Sequence, residues 1–276
     1  MINFNGTLQQ EENILTHNRA FLYGDGVFET VKIIDNKILF LEDHYFRLMA
    51  SMRIVRMEIP MEFTMEFLEG QILNTATQNG VSNSARARIT VFRNDGGRYL
   101  PVTNDVSYLI SVSGIENQKY QTFTDAYEVD LFKDFYVTKQ LLSSIKSTNR
   151  QLNVVASIYA NENALDNCLL LNDSKNVVEG LQGNLFMVLG NKIVTPPVSE
   201  GCLNGVMRKQ VIALLKKETG LTIEEQIISP FDLQKADELF LTNVVFGVRP
   251  ITKYRKKEFK TEIAHLLVGK INESIA

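Results

Sequence analysis

A chain of 276 residues with 45% hydrophobic and 22% charged residues has ordinary globular composition, enough for one large domain or two modest ones, and this excludes a disordered polypeptide. The formal net charge of −3 lacks the broad basic footprint of a nucleic-acid binder, and no apolar run approaches the roughly 20 residues of a membrane span. Two cysteines, Cys168 and Cys202, are too few for a disulfide framework or a Cys-based zinc site, and three scattered histidines (His17, His44, His265) argue against a His-rich metal site.

In chain order, the β-branched and aromatic run Val27 to Ile33 predicts a strand. Asp35-Asn36-Lys37 is a turn signal, with Ile38 to Leu41 as the partner strand. Leu41, Tyr45, Leu48, Met49, Met52 and Val55 then recur at helical spacing. A second helix is expected near Phe63 to Gln78, stopped by Asn79-Gly80. Strands follow at Ala87–Arg93 and Ser107–Val112, separated by the loop Asn94-Asp95-Gly96-Gly97. The polar stretch 114–122 marks a linker between an N-terminal domain of residues 1–113 and a C-terminal domain of residues 123–276. In the second half, strands are expected around Tyr127, Val129 and Leu131, at Cys168–Leu171, at Gly183–Leu189 and at Leu239–Thr242. Helices are expected at Asn149–Asn163, from Gly205 to Gly220, and at Thr261–Glu273. Segregated helical and extended stretches point to an α+β fold.

Several residues could carry chemistry. Lys146, in SSIKSTNR, stands at an element boundary and reads either as a partly desolvated nucleophile or base or as a solvated surface lysine. Glu179, in NVVEGLQGNLF, is either an acid held in a tight loop, with Gly180 and Gly183 admitting a close ligand, or an exposed hairpin carboxylate. Gly205 in GCLNGVMR precedes a helix whose free N–H groups suit a phosphate, or it serves only a turn. Arg47 is a phosphate ligand or a solvated helix charge, and Arg98, after a glycine pair, grips a carboxylate or lies in water. Gly24-Asp25-Gly26 precedes a strand rather than opening a helix, so a Rossmann reading fails on context.

Together, YGDGVFETVKI, LEDHYFRL, IKSTN, VVEGLQGNLF, GVMR and ADELFLTN, in that order from Arg19 to Pro250, resemble the class IV (fold type IV) pyridoxal-phosphate enzymes. That family holds branched-chain and D-amino-acid aminotransferases and aminodeoxychorismate lyases. The resemblance implies two domains, pyridoxal 5'-phosphate in the cleft between them, and a homodimer. It makes Lys146 the Schiff-base lysine that also shuttles the Cα proton, and Glu179 the acid facing the pyridine nitrogen. It makes Arg47 and the backbone N–H groups of Val206 and Met207 the phosphate ligands, places Asn243 in a cofactor-proximal segment, and leaves Asn184 structural.

Within the family, the loop RNDGGRYLP, the stretch EGCLNGVMR and the segment TNVVFGVRPI are similar to the lyases, with Arg98 as a substrate-carboxylate ligand. The implied reaction is release of pyruvate from 4-amino-4-deoxychorismate to give 4-aminobenzoate for folate synthesis; the alternative is an aminotransferase of branched-chain or other amino acids. Glu29 is shared with the aminotransferases, where some lyases have Thr, and Phe28 stands where D-amino-acid aminotransferases have a carboxylate-binding Tyr. Asn18 replaces an Asp often found before Arg19. The opening MINFNGTLQQEEN lacks the basic and apolar regions of a signal peptide, so a soluble, cytoplasmic protein acting on a small amino-acid-like molecule, without nucleic-acid or membrane partners, is expected.

Overall fold

The computed structural model describes residues 1–10 and 16–275. The first unit comprises Met1–Lys119 together with Ile145–Asn149, and the second comprises Tyr120–Ser144 and Arg150–Ala276.

The first unit is built on β1 (Ile2–Phe4), β2 (Thr7–Gln9), β3 (Gly26–Ile34), β4 (Lys37–Ile38), β5 (Ser84–Arg93) and β6 (Val106–Gly114). Among the described residues these make one antiparallel sheet in the order β2-β1-β6-β5-β3-β4. Its helices are the short α1 (Arg19–Tyr23), α2 (Leu41–Ile54) and α3 (Met65–Gln78). The sequence of β5 shows why one face turns inward. Ala85, Ala87, Ile89 and Val91 are buried and alternate with half-buried Arg86, Arg88 and Thr90. The apolar set packs with Leu48, Met49 and Met52 of α2 and with Leu68, Ile72 and Ala76 of α3. The strand expected at Ile38–Leu41 shrinks to Lys37–Ile38, because Phe40 adopts a left-handed φ of 54° and starts α2 at once.

The second unit holds β7 (Glu128–Val137), α4 (Gln151–Glu162), β8 (Asn167–Asn172), β9 (Val177–Gly180), β10 (Asn184–Leu189), β11 (Lys192–Thr195), α5 (Val206–Leu215), β12 (Thr222–Glu225), β13 (Glu238–Asn243), β14 (Gly247–Ile251), β15 (Lys253–Tyr254), β16 (Lys257–Glu258) and α6 (Glu262–Ser274). The strands form one mixed sheet in which β10 pairs with β9, β11 and β13. Strands β7 and β8 are parallel and joined through α4, a local crossover within an otherwise segregated α+β arrangement. Strands β8, β9 and β10 are buried nearly throughout, with Leu169, Leu185 and Leu241 in one apolar cluster. Leu170 and Val178 lie in another, with Ala156 and Ala160 of α4.

Two features differ from the linear division read in the sequence. The unit changes between Lys119 and Tyr120, inside the stretch 114–122, but that stretch is not a solvated linker throughout. Gly114 ends β6, and buried Tyr120 donates its hydroxyl to the Val244 carbonyl at 2.8 Å and its N–H to Asn272 Oδ1 at 2.9 Å. The segment Ile145–Asn149, assigned by its position to the second domain, packs with the first.

Candidate active site

In the first unit, Lys146 is fixed by strand pairing. Phe28 N–H donates to the Lys146 carbonyl at 2.7 Å, Val27 bridges Ser147, and Thr148 N–H donates to the Gly26 carbonyl at 2.9 Å. Ile145 enters the apolar core, so by strand alternation the next side chain points the other way. The half-buried Lys146 places its Nζ 4.6 Å from the centre of the Phe28 ring. The guanidinium of Arg88 lies 3.6 Å from the same ring centre, with its Nε donating to Thr90 Oγ1 at 3.1 Å. Arg88 was not singled out in the sequence; the alternation Ala85, Arg86, Ala87, Arg88 carried the signal, since it turns both arginines to the face of Phe28. On that face lies buried Lys32, whose ammonium burial pushes down to about 8.

Arg47 takes up a different position. Its Nε donates to Glu29 Oε1 at 2.7 Å and a terminal nitrogen to Glu29 Oε2 at 2.6 Å, a bidentate pair. His44 Nδ1 lies 2.8 Å from the same Oε2. Glu29 is 2% exposed, and burial alone would raise its carboxyl pKa. The Arg47 charge and hydrogen bonds, with those of His44, outweigh burial and hold it down at about 2. Glu29 and Phe28 are consecutive in β3 and face opposite sides of the sheet. Glu29 therefore turns toward α2 and away from the ring beside Lys146.

Arg98 is exposed on the turn after Gly96-Gly97. Its carbonyl and that of Gly96 accept hydrogen bonds from buried Arg19 at 2.7 and 2.9 Å.

In the second unit, Glu179 lies on β9, not in the loop that its glycines suggested, and is buried. Its Oε2 accepts the Leu203 N–H at 2.9 Å, while Asn184 Nδ2 donates to the Leu203 carbonyl at 2.8 Å. Leu203, in the 201–205 turn, is thus held through both its N–H and its carbonyl. Gly205 caps α5 with no side-chain acceptor, and no acidic residue occupies the first turn. The N–H groups of Val206 and Met207 open that helix, ahead of any intrahelical acceptor. A Cβ on Gly205 would collide with Asn184 Oδ1, so only glycine leaves the turn bare. Burial, and then the Glu179 charge, push the neighbouring Cys202 thiol up to about 12, which makes it inert at neutral pH. Asn243 closes the turn between β13 and β14. It accepts from Val245 and Phe246 N–H and donates to the Gln182 carbonyl at 2.8 Å. It holds the β9–β10 turn in place and is a structural partner of this end of the sheet.

Each unit holds groups that suit a phosphorylated pyridine cofactor: the second a helix N-terminus for a phosphate and a buried carboxylate for a ring nitrogen, the first a pinned lysine for a carbonyl. Among the described residues no cluster of His, Cys, Asp or Glu could hold a metal ion, and no helix is long and apolar enough to cross a membrane.

The family model for amino-transferase class IV matches residues 26–254. A Methanocaldococcus jannaschii protein provisionally named a branched-chain-amino-acid aminotransferase is 30% identical over 243 residues, covering 88% of this chain and 83% of its own. The aminodeoxychorismate lyase of Vibrio harveyi is 25% identical over 260 residues, covering 94% and 92%. The pyridoxal-phosphate form of a branched-chain amino acid aminotransferase from Thermobaculum terrenum superposes with a TM-score of 0.84 over 99% of this chain and 92% of that one, at 22% identity. The chain belongs to the class IV aminotransferase family of pyridoxal-phosphate-dependent enzymes, which includes both aminotransferases and aminodeoxychorismate lyases.

Proposed function

We propose that this enzyme is a 4-amino-4-deoxychorismate lyase, releasing pyruvate and 4-aminobenzoate. The observation that carries the reading is the built Gly96-Gly97-Arg98 turn, which presents a guanidinium from a backbone anchored by Arg19. The substrate carries two carboxylates, and Arg98 and Arg88 supply two guanidinium groups in the first unit. The placement of Glu29 supports this reading by removing an objection. A carboxylate shared with the aminotransferases faces Arg47 and His44, not the Phe28 side of the sheet, and so does not select the substrate.

When bound, the cofactor draws electron density from the substrate Cα. In this reading Lys146 would hold the cofactor covalently and move the Cα proton, with its Nζ beside the Phe28 ring. Glu179 would keep the ring nitrogen protonated, and Arg47, oriented by its pair with Glu29, would hold the phosphate together with the Val206 and Met207 N–H groups. The Leu203 N–H bond orients the Glu179 carboxylate. The enzyme would act in folate synthesis as a cytoplasmic homodimer. The exposed apolar side chains of Phe21, Leu22, Tyr23, Tyr99, Leu100 and Val102 in the first unit support self-association. The second reading, an aminotransferase of branched-chain or other amino acids, is favoured by the 30% identity to the Methanocaldococcus protein.

The two readings separate on one assay. With 4-amino-4-deoxychorismate and no 2-oxo acid, 4-aminobenzoate fluorescence and pyruvate should rise together in equal amounts. No product from cofactor-loaded enzyme, with turnover of L- or D-amino acids on adding 2-oxoglutarate, would establish the aminotransferase instead. The phosphate turn has its own test. Gly205→Ala drives a methyl group into Asn184, a strain of about 1–3 kcal/mol, and should weaken cofactor binding roughly tenfold or more in an absorbance titration. Unchanged affinity would remove this turn from the cofactor site.

A further inference from the structure

We infer that Arg19 is a positioning residue for substrate recognition, fixing the Arg98 turn to the segment that carries Lys146. The inference rests on the reading of Arg98 as the residue that binds a substrate carboxylate.

Arg19 opens α1 and is 3% exposed, a burial that a guanidinium tolerates only when its donors are used. Its Nε donates to Asp25 Oδ2 at 2.8 Å, and one terminal nitrogen serves the carbonyls of both Gly96 and Arg98. The guanidinium carbon lies 5.1 Å from the centre of the Tyr23 ring, and that ring lies 5.8 Å from the ring of Tyr99. Residues 96–99 are therefore held to α1 by two carbonyl bonds and a ring pair. Gly97, at a φ of 73°, makes so tight a reversal possible, because a Cβ there would strike the Leu100 carbonyl.

Asp25 joins this anchor to the lysine. It accepts from Arg93 Nε at 3.1 Å as well as from Arg19, and it sits between Gly24 and Gly26. The carbonyls of those glycines accept the Thr148 hydroxyl at 2.8 and 3.2 Å, two residues beyond Lys146. A continuous path of bonds thus runs from the Arg98 backbone through Arg19, Asp25 and Thr148 to the Lys146 strand. It fixes where the Arg98 side chain starts from and leaves its charge untouched.

Lysine at position 19 keeps a cation for Asp25 but loses the planar fork that reaches Asp25 and two carbonyls together. The test compares Arg19→Lys, Arg98→Ala and the double variant as cofactor-loaded enzymes. KM and kcat are read with 4-amino-4-deoxychorismate, or with 2-oxoglutarate should transamination prove to be the activity, and cofactor affinity by absorbance titration. Arg98→Ala should raise KM about 10- to 100-fold. Arg19→Lys should raise it about tenfold, with kcat within about twofold and cofactor affinity unchanged, and should add nothing in the Arg98→Ala background. If Arg98→Ala raises KM but Arg19→Lys does not, or if the two effects multiply, the positioning role fails while the reading of Arg98 stands. If Arg98→Ala leaves KM unchanged, that reading fails and the inference with it. Should Arg19→Lys not fold, Tyr23→Leu keeps the Arg19–Asp25 pair and removes the ring's contacts with Arg19 and Tyr99. It should give a smaller rise in KM, about two- to fivefold, and no rise would count against the anchor.

Discussion

Lys146→Ala is expected to lose turnover by at least about 10^2–10^4-fold, the usual worth of a positioned proton-transfer group, with further loss from the missing covalent attachment. The fold should survive, because the segment is held through main-chain bonds at Phe28, Val27 and Gly26 and through the apolar side chain of Ile145, none of which the substitution removes. Borohydride treatment should fix the cofactor to the peptide containing Lys146 in the wild type and to no peptide in the variant. Peptide mass mapping reads this independently of activity. A variant that turned over at the wild-type rate would overturn the assignment of the lysine.

The second large effect concerns stability. Glu29 is buried with both oxygens engaged by Arg47 and one also by His44. Its carboxyl pKa of about 2, against an ordinary 4.5, means that the folded state prefers the ionised form. Such a group contributes stability that is fully present above about pH 4.5 and is lost as the pH falls toward 2. The difference corresponds to about 3 kcal/mol. In the cofactor-free protein Glu29→Ala leaves the Arg47 guanidinium without its carboxylate and should cost about 3–5 kcal/mol at neutral pH by denaturant unfolding. Glu29→Gln should flatten the acid limb, so that wild type and variant converge near pH 2. Parallel stability curves from pH 5 to 2 would show that the pair contributes nothing through its charge.

The sequence was most legible where one period dominates. Strand β3, the helices α2 and α3, and α6 lie within one or two residues of their expected spans, because their apolar spacing matches the face they bury. It was least legible where pairing is remote or local geometry overrides pattern. Strands β1 and β2 are three residues each and exist through pairing with each other and with β6. The left-handed Phe40 cut short a strand that composition favoured. Lys146, Glu179 and the helix start at Val206 were singled out through their motifs; the structure puts the lysine on a segment paired with β3, the acid on β9 and the start of α5 at Val206. Glu29 was weighed as a marker of subgroup and proved to be the partner of Arg47. Arg19 and Asp25 gave no signal as a pair, since what joins them to Arg98 and Thr148 is main-chain carbonyls, which are the same in every sequence.

The membership of residues 145–149 in the first unit has a consequence for how the chain is made. The start of β3, at Val27 and Phe28, receives its neighbouring strand only from residues roughly 120 positions later. During synthesis the N-terminal half can assemble its sheet and helices, yet it must wait with one strand edge unpaired until the lysine segment has left the ribosome. A fragment ending at Lys119 would keep that open edge permanently and should be prone to edge-to-edge association. The pairing that pins Lys146 is therefore also a late, long-range closure, so the first unit is complete only when its lysine is in place.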